Sequence, residues 1–450
     1  MSAGSTDEHR VPVSSGRAWY MVWVLVAAYS LSFADRMVMS LLIDPIKQSF
    51  AISDFQVSLL IGAAFALFYV IMGVPCGYLA DRINRRNLIV TGILIWSVAT
   101  AACGIAGSFA AIFIARMIVG AAEATLSPSA YSMISDSFPP NKLGRAISTY
   151  VIGNPLGTGA ALAIGGSVIA FASSVPFVTL PIVGTIEGWR LVFVALCLPG
   201  IILSLLLLLT VREPARRVHP ERVGKSVSWL EAPRYIRSHG RAFLFQFGGT
   251  CMLSLAVYGS MAWIPAFFIR SHSMPASTIG IYFGVQLGVC GVVGLLLGGV
   301  LGDRMLQAGY KDAYPRVMAF AAVLALAPSV SMYLVDSVNL ALGLMAFSLM
   351  ATGLTTGIAA AAVQYITPSH LRGQMGAIYI LTASVAGVGL GPTAVAALTQ
   401  FVFGEEASLR YALAVLAGVS LPLAAVLLTA GLPAYRACVS AQVWPSEEDR

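Results

Sequence analysis

The chain reads as long apolar runs separated by short polar breaks. Twelve runs reach at least about 18 residues, the length at which an apolar stretch crosses a bilayer as a helix. They cover 18–43, 57–79, 88–108, 110–134, 146–171 and 190–211, then 242–269, 278–302, 315–335, 338–366, 373–399 and 410–434. The third and fourth runs are almost continuous, so a very tight turn is expected between them. The stretch from Phe171 to Trp189 is apolar too, but Pro176 and Pro181 interrupt it. It is expected as an extended loop dipping into the membrane interface rather than as a further span. The longest polar break divides the runs six and six. The predicted organisation is a tail over 1–17, a six-helix bundle over 18–211, a linker over 212–241, a second bundle over 242–434 and a tail over 435–450.

Composition excludes a soluble fold. Of 450 residues 58% are apolar and 10% charged, against about 25% charged in an ordinary soluble domain. The net charge of +7 does not mark a nucleic-acid surface, because the basic residues sit in short loops between runs. With the N-terminus inside, 21 of the 27 Lys and Arg fall in the tails, the linker and the loops of one side. Lys47, Arg190, Arg270 and Arg410 fall on the other, and Arg36 and Arg116 lie within runs. The positive-inside rule then makes both termini cytoplasmic. The basic linker is a tether in which Trp229 to Ile236 has the pattern of a short amphipathic helix suited to an anionic leaflet.

Cys76, Cys103, Cys197, Cys251 and Cys290 lie in apolar runs and Cys438 near the C-terminus, so no disulfide framework is expected. A polar N-terminus without a cleavable signal, short loops and no Asn-x-Ser/Thr sequon point to a bacterial inner membrane. All five histidines fall in loops or tails, which speaks against a metal site or histidine relay in the membrane. No Walker-type phosphate loop, His-Glu-x-x-His or Gly-x-Ser-x-Gly occurs, so no enzyme activity is expected.

The halves echo each other. Gly77-Tyr-Leu-Ala-Asp81-Arg82 after the second run returns as Gly299-Val-Leu-Gly-Asp303-Arg304 after the eighth. Pro140-Asn-Lys-Leu143 returns as Pro368-Ser-His-Leu371. Two six-span halves with motifs at equivalent places form a parallel pseudo-repeat, an architecture that binds substrate between the halves and alternates access by rocking. Gly77-Tyr-Leu-Ala-Asp81-Arg82-Ile-Asn-Arg85-Arg86 resembles the signature loop of the major facilitator superfamily, with that family's glycine after the Asp-Arg pair replaced by Asn84 or absent. The resemblance implies an all-α fold of twelve transmembrane helices in two six-helix bundles. It also implies a cytoplasmic gate at Gly77, Asp81, Arg82, Arg85 and Arg86, echoed by Asp303 and Arg304, that latches the outward-open state.

A narrower resemblance rests on the first half. Phe33-Ala-Asp35-Arg36, Leu42-Ile-Asp44-Pro45-Ile46-Lys47, Ala64-Phe65-Ala66-Leu67-Phe68-Tyr69, Arg116-Met-Ile-Val-Gly120-Ala-Ala-Glu123-Ala124 and Ser135-Asp136-Ser-Phe138-Pro139-Pro140 look like Spinster-type transporters. That resemblance implies proton-linked movement of lysophospholipids or sphingosine-type lipids. Permeases for aromatic and sugar acids also carry an Asp-Arg pair in the first span and are the nearest confusable group.

Only Asp35, Arg36, Arg116 and Glu123 place charge deep within the runs. Each costs at least about 2.5–3.5 kcal/mol at the bilayer centre, so they are expected to meet in a shared cavity. Arg116 and Glu123 are seven residues apart on one helix face, about 10 Å along the axis, too far to pair directly. Asp35 and Arg36, being adjacent, diverge. Glu123 or Asp35 is the expected proton acceptor, with Arg36 and Arg116 holding the acid or a substrate anion. The second half offers Tyr258, Trp263, Gln286, Thr352, Thr356 and Gln364 as uncharged cavity candidates. A cavity charged on one side and apolar on the other suits an amphiphilic anion. The expected function is a secondary active transporter, monomeric and driven by the proton gradient with no bound cofactor. The alternatives are a permease for small organic or aromatic acids and, from another class, a lipid-sensing or lipid-modifying membrane protein.

Overall fold

The computed structural model describes residues 15–175, 177–180, 184–216, 231–368 and 371–441. Most of both tails, the middle of the linker with Trp229, and Pro176, Pro181, Ser369 and His370 lie outside the described residues. Among those described, 11 helices are long and apolar enough to cross a membrane. Four fall before the fifth crossing: Gly16–Leu41, Asp54–Arg82, Arg85–Ile105 and Phe109–Ser137. Seven follow it: Arg190–Thr210, Gly240–His272, Ala276–Gln307, Ala313–Leu334, Val338–Tyr365, Arg372–Phe403 and Glu406–Ala441. The fifth crossing is made of two helices, Pro140–Val151 and Gly153–Ser174. Pro155 has no N–H to give the carbonyl of Val151, and the helix breaks at Ile152 for that reason. These twelve are numbered here as spans one to twelve.

Local sequence explains the tight turns. Ser108 accepts a hydrogen bond from the N–H of Ala111 and so starts span four three residues after span three ends. Asn84 does the same for span three, and Ser53 forms a capping box with Gln56 ahead of span two. Two expectations change. The stretch before span six is not simply extended: β1 (Phe177–Leu180) pairs antiparallel with β2 (Gly184–Glu187). The facing Thr179 and Thr185 hydroxyls lie 3.1 Å apart, and Gly184 adopts φ +83° at the turn. The helix ahead of span seven is Glu231–Ser238, and its apolar face packs on protein, not lipid. Ala232 is fully buried and the Tyr235 hydroxyl donates to the Ile366 carbonyl at 2.8 Å, while Arg234 and Arg237 point outward.

Contacts between turns assign the faces. Trp19 packs edge-on against Phe138 beyond span four at 5.0 Å. Lys311, between spans eight and nine, donates to Ser440 near the end of span twelve. Arg216, after span six, donates to the carbonyls of Ala80 and Ile83 after span two. The two ends and the even-to-odd turns therefore share one face, called terminal below; the other is called distal.

The apolar core is divided unevenly between the two. Toward the distal face one continuous cluster joins the bundles, with Val38, Ile46 and Leu60 of the first against Trp263, Phe267 and Phe283 of the second. Toward the terminal face there are two clusters. One has all its buried members in the first bundle, around Trp96 and Met133, and the other in the second, around Phe243 and Met318. The halves are closed distally and parted at the terminal face. Large apolar side chains such as Ile164, Leu209, Leu244 and Val402 remain exposed on the outside, where a bilayer would cover them.

Candidate functional site

Span one carries Ser32 and Arg36 one helical turn apart, and both reach Glu123 of span four. The same carboxylate oxygen, Oε2, accepts from Ser32 Oγ at 2.6 Å, Arg36 Nε at 2.9 Å and Arg36 Nη2 at 2.5 Å. The guanidinium lies over three rings: Phe33 at 4.6 Å, Phe65 at 4.4 Å and Tyr69 at 5.1 Å. Cation–π contact and ion pairing thus fix one charge from two sides. Glu123 Oε1 has no hydrogen-bond partner among the described residues.

Asp35 diverges as expected. Its Oδ2 accepts from Thr100 of span three at 3.2 Å, and its Oδ1 is unpartnered among the described residues. Arg116 donates from Nε to the Leu60 carbonyl at 3.3 Å and leaves Nη2 unpartnered. Asp35, Arg116 and Glu123 are all 2% exposed or less. Phe65 stands between the two arginines, with Arg116 5.4 Å from its ring. Of the expected set, the structure joins Arg36 to Glu123 and keeps Asp35 and Arg116 as separate, half-satisfied neighbours.

The second-half candidates disperse. Tyr258 faces the first bundle, within electrostatic reach of Arg36 and Tyr69. Trp263 is fully buried and donates its indole N–H to the Pro392 carbonyl at 3.0 Å, which makes it a packing residue of the second bundle and not a cavity wall. Gln364 donates to the Arg372 carbonyl and ties the turn between spans ten and eleven. Thr352 bonds back to Ser348 within its own helix and lines a small hollow inside the second bundle with Ser260, Ser329 and Ser348. Thr356 is exposed, and Gln286 is half-buried on span eight with its side-chain oxygen unpartnered among the described residues.

At the terminal face Arg85 is fully buried and holds the first bundle together internally. It donates to Asp136, to Glu213 at 2.7 Å, to Ser132 at 2.8 Å and to the Pro214 carbonyl at 2.8 Å. The backbone N–H of Arg86 donates to the other oxygen of Glu213. Arg82 lies over Tyr78 at 4.0 Å, and Arg216 donates to the Asp81 carbonyl. The Asp81 side chain is exposed and makes no bond to the second bundle among the described residues. Gly77 likewise has open space where a Cβ would stand. Asp303 faces Tyr314 within the second bundle, and Arg304 is exposed in the last turn of span eight.

The distal face carries an ion network absent from the expectations. Arg270, in the last turn of span seven, pairs with Asp44 at 2.5 Å and Asp54 at 2.8 Å. Lys47 pairs with Asp54 at 2.6 Å and with Glu406 at 2.6 Å. Arg270–Asp44, Arg270–Asp54 and Lys47–Glu406 all cross between bundles. In the sequence Asp44 and Lys47 read as part of a family-like motif and Lys47 and Arg270 as loop charge, with no pairing between bundles; the signal was the Asp44-Pro-Ile-Lys47 spacing, which puts an acid and a base on one short helix (Ile43–Phe50).

Comparison with known proteins agrees with this geometry. The sequence model of the Major Facilitator Superfamily matches residues 25–392. The chain is 28% identical to an MFS-type efflux pump of Mycolicibacterium smegmatis, over 85% of each chain. It is 29% identical to protein spinster homolog 1 of Homo sapiens over 68% of this chain and 58% of that one. Among solved structures it resembles a bacterial homolog of the human lysosomal transporter Spinster in an inward-facing, occupied conformation. That likeness has a TM-score of 0.75 and 27% identity, and covers 96% of this chain and 100% of the other.

Proposed function

This chain belongs to the major facilitator superfamily and is a membrane transporter resembling Spinster proteins, and we propose that it moves an amphiphilic anion of the lysophospholipid or sphingosine-type class by proton-coupled alternating access. The observation that carries this reading is the buried pair of Arg36 and Glu123. An ionised Glu123 is held by three hydrogen bonds to one oxygen. Protonation removes the charge that binds Arg36 and frees the guanidinium for a substrate anion; deprotonation recaptures it. Proton and anion thus exchange around one arginine. Asp35, with a single hydroxyl donor and one unpartnered oxygen, is the second acid of the relay. The proton gradient is the energy source, and two bundles in one chain complete the path, so a monomer suffices.

The excess of basic residues at the terminal face makes that face cytoplasmic in the inner membrane of a bacterium. The conformation described, parted there, is then inward-open. Outward opening requires the release of Arg270 and Lys47 from the opposite bundle, and Asp81 with its neighbours latches the state that results.

Uptake into proteoliposomes with an imposed pH gradient tests the proposal, comparing lysophosphatidylcholine with benzoate. Gradient-stimulated lysolipid uptake is expected, lost in Glu123→Gln and Asp35→Asn. Full stimulation in both variants would falsify the proton assignment. Uptake of benzoate in place of lysolipid would replace the substrate class with small organic acids.

A further inference from the structure

Five tyrosines run outward from the Arg36–Glu123 pair, Tyr29, Tyr69 and Tyr258 nearest to it and Tyr131 and Tyr379 next to these, and the proton chemistry uses none of their hydroxyls. Tyr29, Tyr69 and Tyr131 come from spans one, two and four, Tyr258 and Tyr379 from spans seven and eleven. Four of the rings have close packing partners. Tyr69 lies under the Arg36 guanidinium at 5.1 Å. Tyr29 stacks on Tyr150 at 4.7 Å and Tyr131 meets the same ring edge-on at 5.4 Å. Tyr258 is packed so closely on span eleven that a Cβ on Gly387 would stand 2.6 Å from its ring. The group is contiguous across the gap: Tyr69 neighbours Tyr29, Tyr131 and Tyr258, and Tyr258 neighbours Arg36 and Tyr379.

The hydroxyls, unlike the rings, are uncommitted. The Tyr435 O–H donates to the Ala362 carbonyl at 2.7 Å and that of Tyr235 to the Ile366 carbonyl at 2.8 Å, each across helices. None of the five has such a partner among the described residues, and none is sealed, each residue being only partly buried. Phenol O–H groups that are accessible and unpaired, set within membrane spans, are donors awaiting an acceptor.

We propose that these five hydroxyls are the headgroup-reading lining of the transport site, donating to the oxygen atoms of a phosphate-bearing headgroup from both bundles at once, with Tyr258 and Tyr379 as the second bundle's share. This rests on the amphiphilic-anion reading above. Neutral donors add no charge to compete with Glu123 for Arg36, so they select the headgroup without disturbing the proton exchange. A headgroup held by Tyr69 on one side and Tyr258 on the other joins two bodies that must rock past one another, so occupancy draws them together.

The test is equilibrium binding to the full chain in nanodiscs, which needs neither proton gradient nor transport. The probes are lysophosphatidylcholine and a monoacylglycerol of the same chain length. Tyr258→Phe and Tyr379→Phe are each expected to weaken lysophosphatidylcholine binding about three- to tenfold, the scale of one hydrogen bond. Monoacylglycerol binding and the Tyr282→Phe control should stay within about twofold. Tyr131→Phe supplies the same test from the first bundle should a second-bundle variant fail to fold. Equal weakening of both probes means a packing role and overturns the proposal. So does unchanged lysophosphatidylcholine binding, or a wild-type chain that does not prefer the phosphate-bearing probe. Loss of proton coupling in the uptake assay would sink the transport reading and leave this result standing.

Discussion

Arg36 is the residue on which the first bundle's polar contacts converge, because every group around it binds one guanidinium. Glu123 holds it through charge, Phe33, Phe65 and Tyr69 through their π faces, and Ser32 shares the carboxylate. Breaking a buried ion pair by removing one partner leaves the other charge uncompensated, at about 3–5 kcal/mol. Glu123→Gln should therefore lower the melting temperature in detergent at pH 7 clearly. Ser32→Ala, which deletes one neutral donor, should cost no more than about 1.5 kcal/mol. Pairing Glu123→Gln with Arg36→Gln should recover part of the loss; if the double variant is merely additive, the two residues do not interact. The four buried charges were legible in the sequence, since charge within apolar runs is rare and expensive. Their partners were not: one residue of offset along span one separates Asp35 from Arg36 and sends them to different helices. The tyrosine lining was hidden for another reason. Tyrosine is ordinary in membrane spans, and only the packing tells which hydroxyls are left without a partner.

At the scale of elements, the distal end of span six is tied to the short helix after span one by one acid. Glu187, at the end of β2, accepts from Trp189 Nε1 at 2.7 Å, from Arg190 Nε at 3.2 Å and from Ser49 on the short helix after span one. Partial desolvation pushes its carboxyl up, but these hydrogen bonds and the Arg190 charge outweigh it and hold it below the usual glutamate value. A depressed folded value means stability present above the unfolded pKa of about 4.3 and lost as pH falls through the folded one. Hydrogen-exchange protection of Phe177–Leu180 and of the Ile43–Phe50 helix should then stay level from neutral pH to about 5 and fall only below about 4. A decline already between pH 7 and 5 would remove Glu187 from this role. That same short helix carries Asp44 and Lys47, so the tie positions the distal ion network. Within the network the partners are unequal. Arg270 serves two acids, one of them 3% exposed, whereas Glu406 is 64% exposed, and exposed pairs contribute about 1 kcal/mol or less. Arg270→Ala should raise the reactivity of a cysteine placed at the distal mouth, and Glu406→Gln should change it little. Equal effects would mean that the crossing charges act only as a diffuse field.

The whole molecule is a pair of bodies, and glycines record where they touch. Along spans five and eight, a Cβ on Gly280 would stand 2.3 Å from the Leu162 carbonyl and one on Gly166 2.6 Å from that of Ala276. Nearer the terminal face a Cβ on Gly159 would stand 3.0 Å from the Gly284 carbonyl, whereas one on Gly288 meets nothing within 4 Å. Spans two and eleven follow the same rule: Gly62 is jammed against Val388, while Gly73 and Gly77 face open space. Wide π turns mark these closures, Leu59–Ala63 in span two, Leu287–Gly291 in span eight and Val385–Leu390 in span eleven. Such turns break the regular hydrogen-bond ladder and recur at functional sites. The twelve-span fold was legible because apolar length alone dictates it. The conformational state was not, because the sequence must serve both ends of the rocking motion. Gly280→Ala separates the two. Its methyl group cannot be accommodated against a backbone carbonyl without moving the bundles apart, and overpacking of this kind costs about 1–3 kcal/mol. That is a shift of about five- to 150-fold in the ratio of distally closed to distally open molecules. Spin labels at the exposed Phe177 and Phe401 should show a longer distance population in Gly280→Ala, while Gly77→Ala should leave the distal distance as in the wild type. If both variants give the wild-type distribution, spans five and eight do not form the closing contact, and the latch of Arg270 and Lys47 must hold the distal face by itself.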